Sequence, residues 1–167
     1  MNRRILVPAS IIALMLLVLT LAPSCMSGNS QTGKSFLANL GGASEVPPVT
    51  TQATGQAVFN LSPDGASMTF TLTVSNINDV TASHIHLAAA GVNGPVVVPL
   101  LGVPKPGPFS GVLAQGTITS ASLGGLLAGK TVADLVTEME AGRTYVNVHT
   151  TLNPGGEIRG QVMAGVP

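Results

Sequence analysis

Between Ser67 and Ser75 apolar and polar residues alternate without a break: Met68, Phe70, Leu72 and Val74 share one parity, Thr69, Thr71, Thr73 and Ser75 the other. Successive side chains of a strand point to opposite faces, so this run dictates a half-buried β-strand. A helix would scatter the same four apolar residues around its circumference. Ala57, Phe59 and Leu61 repeat the alternation just upstream, and Ser62-Pro63-Asp64-Gly65 lies between the two runs. Proline presets φ and glycine accepts positive φ, so this tetrapeptide is a turn and the two runs form a hairpin.

Further short strands are expected at Ser35–Leu40, Thr81–Leu87, Pro95–Leu100, Gly111–Thr119, Thr144–Thr150 and Glu157–Met163. The last two flank Leu152-Asn153-Pro154-Gly155-Gly156 as a second hairpin with a longer loop. The chain holds 20 Gly and 12 Pro in 167 residues, punctuation too frequent for long helices. One helix is expected from Val132 to Ala141, with Thr131 as N-cap, Asp134 three residues later and Gly142 at its end. Its apolar stripe is Val132, Leu135, Val136 and Met139. The fold class is all-β: an antiparallel Greek-key sandwich or barrel of about 7–8 strands with one short helix.

Residues 1–24 stand apart from that domain. Arg3 and Arg4 precede an apolar run from Ile11 to Ala22, the layout of an export signal, with an uncleaved anchor as the alternative. The only cysteine, Cys25, follows directly in Leu21-Ala22-Pro23-Ser24-Cys25, which resembles the lipobox of bacterial lipoproteins and marks Cys25 for lipidation. Residues 25–34 are small and polar and read as a flexible tether, and residues 35–167 form the domain. Seven basic residues balance seven acidic ones and only 8% of residues are charged, which excludes a nucleic-acid footprint. Membrane attachment is expected through the N-terminal lipid or signal only, at a bacterial cell envelope or after secretion.

Gly124 to Thr131 satisfies the phosphate-loop expression G-x-x-x-x-G-K-T. That loop needs a buried parallel strand before it, and the preceding Thr117–Leu123 is polar, so the match is a coincidence. The histidines are more informative. His84 and His86 lie two apart in a strand and project from one face, and His149 shares a face with Tyr145 and Asn147. If those strands adjoin, three imidazoles converge as a copper or zinc site requires. The alternative role is structural, as hydrogen bonds from imidazole to backbone. Glu157 and Arg159 share one strand face beside the histidine strand, in a chain that otherwise avoids charge, and join Asn147 as candidate binding residues; an ion pair between the two is the plain alternative. No nucleophile elbow and no H-E-x-x-H pattern is present, so no catalytic residue is assigned.

Several segments in order resemble the CHRD domain, named for its occurrence in chordin and found in bacterial exported proteins. They are Phe36-Leu37-Ala38-Asn39-Leu40, Ala43-Ser44-Glu45-Val46-Pro47-Pro48-Val49, Thr54-Gly55-Gln56-Ala57, Ser83-His84-Ile85-His86 and Gly91-Val92-Asn93-Gly94-Pro95-Val96. Tyr145-Val146-Asn147-Val148-His149-Thr150 and Asn153-Pro154-Gly155-Gly156-Glu157-Ile158-Arg159-Gly160-Gln161 close the series. The resemblance runs from Ser35 to Val162 and implies an exported binding domain without an assigned chemistry. A second set of residues is similar to copper–zinc superoxide dismutase: a His-x-His strand, a later strand histidine and a final Gly-Gly-x-x-Arg-Gly-x-Val strand. That similarity would place His84, His86 and His149 at copper-ligand positions, although the family's fourth copper histidine, zinc loop and cysteine pair are missing. The expected function is a non-enzymatic module that binds an envelope or extracellular protein or a small ligand. The alternative is a copper- or zinc-binding metalloprotein, dismutase-like or metal-handling, built on the three histidines.

Overall fold

The computed structural model describes residues 33–165. The expected export segment 1–24, Cys25 and the expected tether up to residue 32 lie outside the described residues. Lys34, at the tether's end, already touches the domain: its carbonyl accepts from Leu61 N–H and its ammonium pairs with Glu140 at 2.6 Å. Among the described residues no helix is long and apolar enough to cross a membrane.

The strands are β1 (Ser35–Gly41), β2 (Thr54–Leu61), β3 (Met68–Leu87), β4 (Val96–Pro99), β5 (Lys105–Ile118), β6 (Thr144–Thr150), β7 (Ile158–Gln161) and β8 (Met163–Ala164). All pairings are antiparallel, and the order β2-β1-β7-β6-β3 closes through a β2–β3 ladder into a barrel-like sheet. The hairpin of β2 and β3 is in the expected place, with Leu61 opposite Met68. The two separate strands expected at Ser67–Ser75 and Thr81–Leu87 are instead one continuous strand of 20 residues. Its first half lies between β2 and β5, its second half between β6 and β4. Strand β5 begins at Lys105, earlier than its alternation starts, because pairing with the bend of β3 carries it through Pro106 and Pro108.

The bend in β3 changes which residues face inward. Met68, Phe70, Leu72 and Val74 fill the core, all of even number; beyond the bend Ser83 and Ile85 are buried in their place. Three irregularities do this, between Val74 and Ile77, Asn78 and Val80, and Val80 and Ala82. Across them the buried positions of β3 fall three apart, at Val74, Ile77, Val80 and Ser83, and three such odd steps exchange the two faces. Asn76 and Asp79 adopt positive φ (54° and 49°), the left-handed region that Asn and Asp tolerate best among residues with a side chain. Asp79 also holds the bend, its carboxylate accepting from Gly107 N–H at 2.7 Å and its carbonyl from Thr151 N–H at 3.0 Å.

The core joins Phe36, Phe59, Leu72, Ile85, Val146, Val148 and Ile158 in one cluster. Helix α1 (Val132–Glu140) buries Val132, Leu135, Val136 and Met139 against it. Its first turn is closed by a capping box in which Thr131 Oγ1 accepts from Asp134 N–H and Asp134 Oδ2 from Thr131 N–H. The helix end that a phosphate would need is therefore already occupied by its own side chains.

Asp79→Ala should lower stability by about 2 kcal/mol, combining an alanine in the left-handed region with a lost hydrogen bond. Asp79→Asn, which tolerates that conformation, should cost less than half as much. Urea denaturation of the two variants measures the difference, and equal costs would show that the backbone conformation at the bend carries no weight.

Candidate metal centre

Strands β3, β6 and β7 lie side by side, and their outward rows coincide. His84 stands opposite Asn147, His86 opposite Tyr145, and Asn147 opposite Arg159. His149, opposite Ala82, reaches diagonally to His84: its Nε2 lies 3.2 Å from His84 Nδ1. One ring nitrogen from each of His84, His86 and His149 lies within 4.8 Å of the other two. The expected convergence of the three imidazoles is therefore what the sheet produces.

Backbone carbonyls orient two of the rings. His86 Nδ1 lies 2.9 Å from Gly94 O and His149 Nδ1 lies 3.0 Å from Pro154 O. A carbonyl only accepts, so each Nδ1 carries the proton and each Nε2 is left with a bare lone pair. His149 Nε2 uses its lone pair on His84. His86 Nε2 is buried and has no partner. Metal-binding histidines usually donate the far N–H to a carbonyl or carboxylate in this way, which sets both tautomer and ring angle.

The electrostatics favour neutral imidazoles. Burial pushes His84 down to about 4, helped by His149 and then His86. Burial also lowers His86 and His149, against the opposing pull of the Gly94 and Pro154 carbonyls. Metal binding requires neutral imidazole, and the lowered values favour that form at neutral pH. Two imidazole nitrogens on one zinc or copper ion, at about 2.0–2.1 Å each, sit about 3.4 Å apart in a tetrahedral arrangement. The His84 Nδ1–His149 Nε2 distance of 3.2 Å is close to that spacing, although Nδ1 can ligate only once His84 has moved its proton to Nε2. The widest separation of 4.8 Å must close by about 1.4 Å.

The other candidate residues hold this face together. Glu157 is 8% exposed and accepts from Thr51 Oγ1 and Thr150 Oγ1, both at 2.7 Å, and from Asn153 Nδ2 at 3.2 Å. Arg159 is 1% exposed and donates to Val92 O and Asn93 Oδ1, with its guanidinium 3.4 Å over the Tyr145 ring. They make no ion pair with each other: the pairs among the described residues are Lys34–Glu140 and Arg143–Glu138. Asn147 is buried, with Nδ2 donating to Glu45 Oε2 at 3.4 Å. Sequence reasoning assigned no role to Glu45, Asn93, Gly94 or Tyr145, although all four fall within the segments that carry the family resemblance.

Glu45 is a buried carboxyl, and burial pushes it up to about 7 against the lowering effect of Arg159 and of the Asn147 hydrogen bond. Its Oε1 and Asn147 Oδ1 are both buried without a partner. Gly156, at φ 133°, packs over both: a Cβ there would sit 2.5 Å from Asn147 Oδ1 and 2.7 Å from Glu45 Oε1. Protonated Glu45 supplies the donor that this pair of oxygens lacks.

A closed antiparallel β-domain with a histidine cluster on one covered face is thus the class of protein that the fold and site define. The CHRD domain family model matches residues 36–162, and the chain belongs to that family. No curated protein and no solved structure matches it.

The carboxyl of Glu45 has a testable sign. A folded value of about 7 against an ordinary 4.5 means that the folded state holds the proton more tightly. That stabilisation is complete below pH 4.5 and is lost as pH rises through 7. The histidines act oppositely, since their lowered values destabilise the fold as pH falls from 6.5 toward 4. Glu45→Gln, a neutral isostere, should therefore gain melting temperature over wild type at pH 8 and lose that advantage at pH 4. A constant difference across this range would remove the buried acid from the account.

Proposed function

We propose that this CHRD domain is an exported, non-enzymatic binding module whose ligand is a single transition-metal ion, copper or zinc, held by His84, His86 and His149. The observation that carries this reading is His86 Nε2, a buried lone pair with no partner, on a ring flanked by the imidazoles of His84 and His149. Leaving a buried acceptor unsatisfied costs about 1–3 kcal/mol, and a metal ion would remove that cost. Neutral imidazole suits zinc and copper, and three such ligands leave a coordination position open. Asn147, Glu157 and Arg159 support the ligands from within, which fits their burial better than contact with a partner. The apolar run before Cys25 supports export, and the lipobox-like sequence supports anchoring in a bacterial envelope.

The test is metal analysis and calorimetry on the exported chain purified without a histidine tag. One equivalent of copper or zinc should be retained, and the fold should gain about 2.7 kcal/mol when free metal exceeds the dissociation constant a hundredfold. His86→Ala should abolish retention while leaving the chain folded. Less than about a tenth of an equivalent after reconstitution, with no change in melting temperature, would contradict a site of this kind.

A further inference from the structure

Arg159 is among the largest fully buried side chains of the domain. A buried guanidinium without a carboxylate is costly unless its donors are otherwise used. Here they converge on one short segment. Nη2 donates to Val92 O at 2.6 Å and Nη1 to Asn93 Oδ1 at 3.0 Å. The guanidinium also rests on the Tyr145 ring, whose hydroxyl accepts from Gly94 N–H at 3.1 Å. Asn93 Nδ2 ties the same segment to Val46 O at 2.9 Å. The next group along the chain is Gly94 O, the acceptor for His86 Nδ1, and His86 itself stacks on Tyr145 at 4.8 Å. A Cβ at position 94 would collide with the Leu87 carbonyl, so the segment passes only as glycine.

We infer that Arg159 is a positioning residue for His86: by pinning Val92 and Asn93 it holds the Gly94 carbonyl where it fixes the His86 proton on Nδ1 and turns Nε2 toward His84 and His149. This rests on the metal-binding reading for its purpose, but not for its mechanism, which is a property of the metal-free protein. A neutral imidazole carries one proton on either nitrogen. Without Gly94 O at 2.9 Å, the proton is free to move to Nε2, where it blocks the lone pair that a metal needs. Arg159 therefore acts through three backbone residues on a ring it does not touch. Removing the group that orients a ligating histidine weakens metal binding by about 10- to 100-fold in comparable sites.

Nitrogen-15 NMR of the histidine side chains in the metal-free exported chain reads the tautomer directly. Three variants decide the point: Arg159→Lys, which keeps the charge but loses the fork; Asn93→Ala, at an exposed position; and Asn93→Asp, which keeps an oxygen for Arg159. Wild type should show His86 protonated on Nδ1. Arg159→Lys and Asn93→Ala should show a mixture and bind zinc about 10- to 100-fold more weakly, and Asn93→Asp should restore both toward wild type. If Arg159→Lys fails to fold, Asn93→Ala carries the test. A His86 proton fixed on Nδ1 in every folded variant overturns the inference, as does zinc affinity within twofold of wild type despite a changed tautomer. Wild type that binds no zinc overturns the metal reading instead, and the tautomer comparison still decides the role of Arg159.

Discussion

Strand β3 must serve two surfaces at once, and the exchange of faces at its bend is the constraint on which the rest of the structure depends. The apolar row from Met68 to Val74 has even numbers, and so do His84 and His86. A regular strand would aim all six into the same core. The irregularities between Val74 and Ala82 send Ser83 and Ile85 inward and the two histidines outward. Nothing else in the fold could correct this, because parity in a strand is all or none.

Once the histidines face outward, the neighbouring strands decide what surrounds them. Tyr145, Asn147 and His149 on β6 and Arg159 on β7 share their face. That face is not left to solvent: the segments around Glu45 and Gly91–Gly94 fold across it, so His86, Asn147 and Arg159 are buried polar groups that require partners. Most find them in backbone carbonyls and neutral side chains. The result is a polar layer without a direct salt bridge, built from hydrogen bonds that fix ring orientation. The groups left unpaired on this face are His86 Nε2 and the Glu45 and Asn147 oxygens. On the proposed reading a metal ion satisfies the first, and a proton on Glu45 serves the other two.

Much of this was legible in the residues, and the reasons are local. The alternation of Thr69 to Val74 names a strand and its buried side, and the Thr131–Asp134 capping box marks the start of the helix. His-x-His in a strand places two imidazoles on one face whatever the topology. What could not be read was the continuity of β3, because Asn76 and Asp79 look like loop residues until their left-handed conformations are seen inside a paired strand. The burial of Glu157 and Arg159 was equally hidden. Charge in sequence suggests surface, and only the covering segments, contributed from about 65 and 105 positions away, turn that corner of the sheet into an interior. Glu45, Asn93 and Gly94 act through contacts of the same long range, so no spacing rule points to them.

The most direct measurement is the zinc K-edge X-ray absorption spectrum of the purified chain loaded with one equivalent of zinc. The account predicts a shell containing three imidazole nitrogens at about 2.0–2.1 Å, completed by a light atom from solvent. A shell with one imidazole or none, or a sulfur at about 2.3 Å from Cys25, would show that the metal binds elsewhere and that the histidine face serves another purpose.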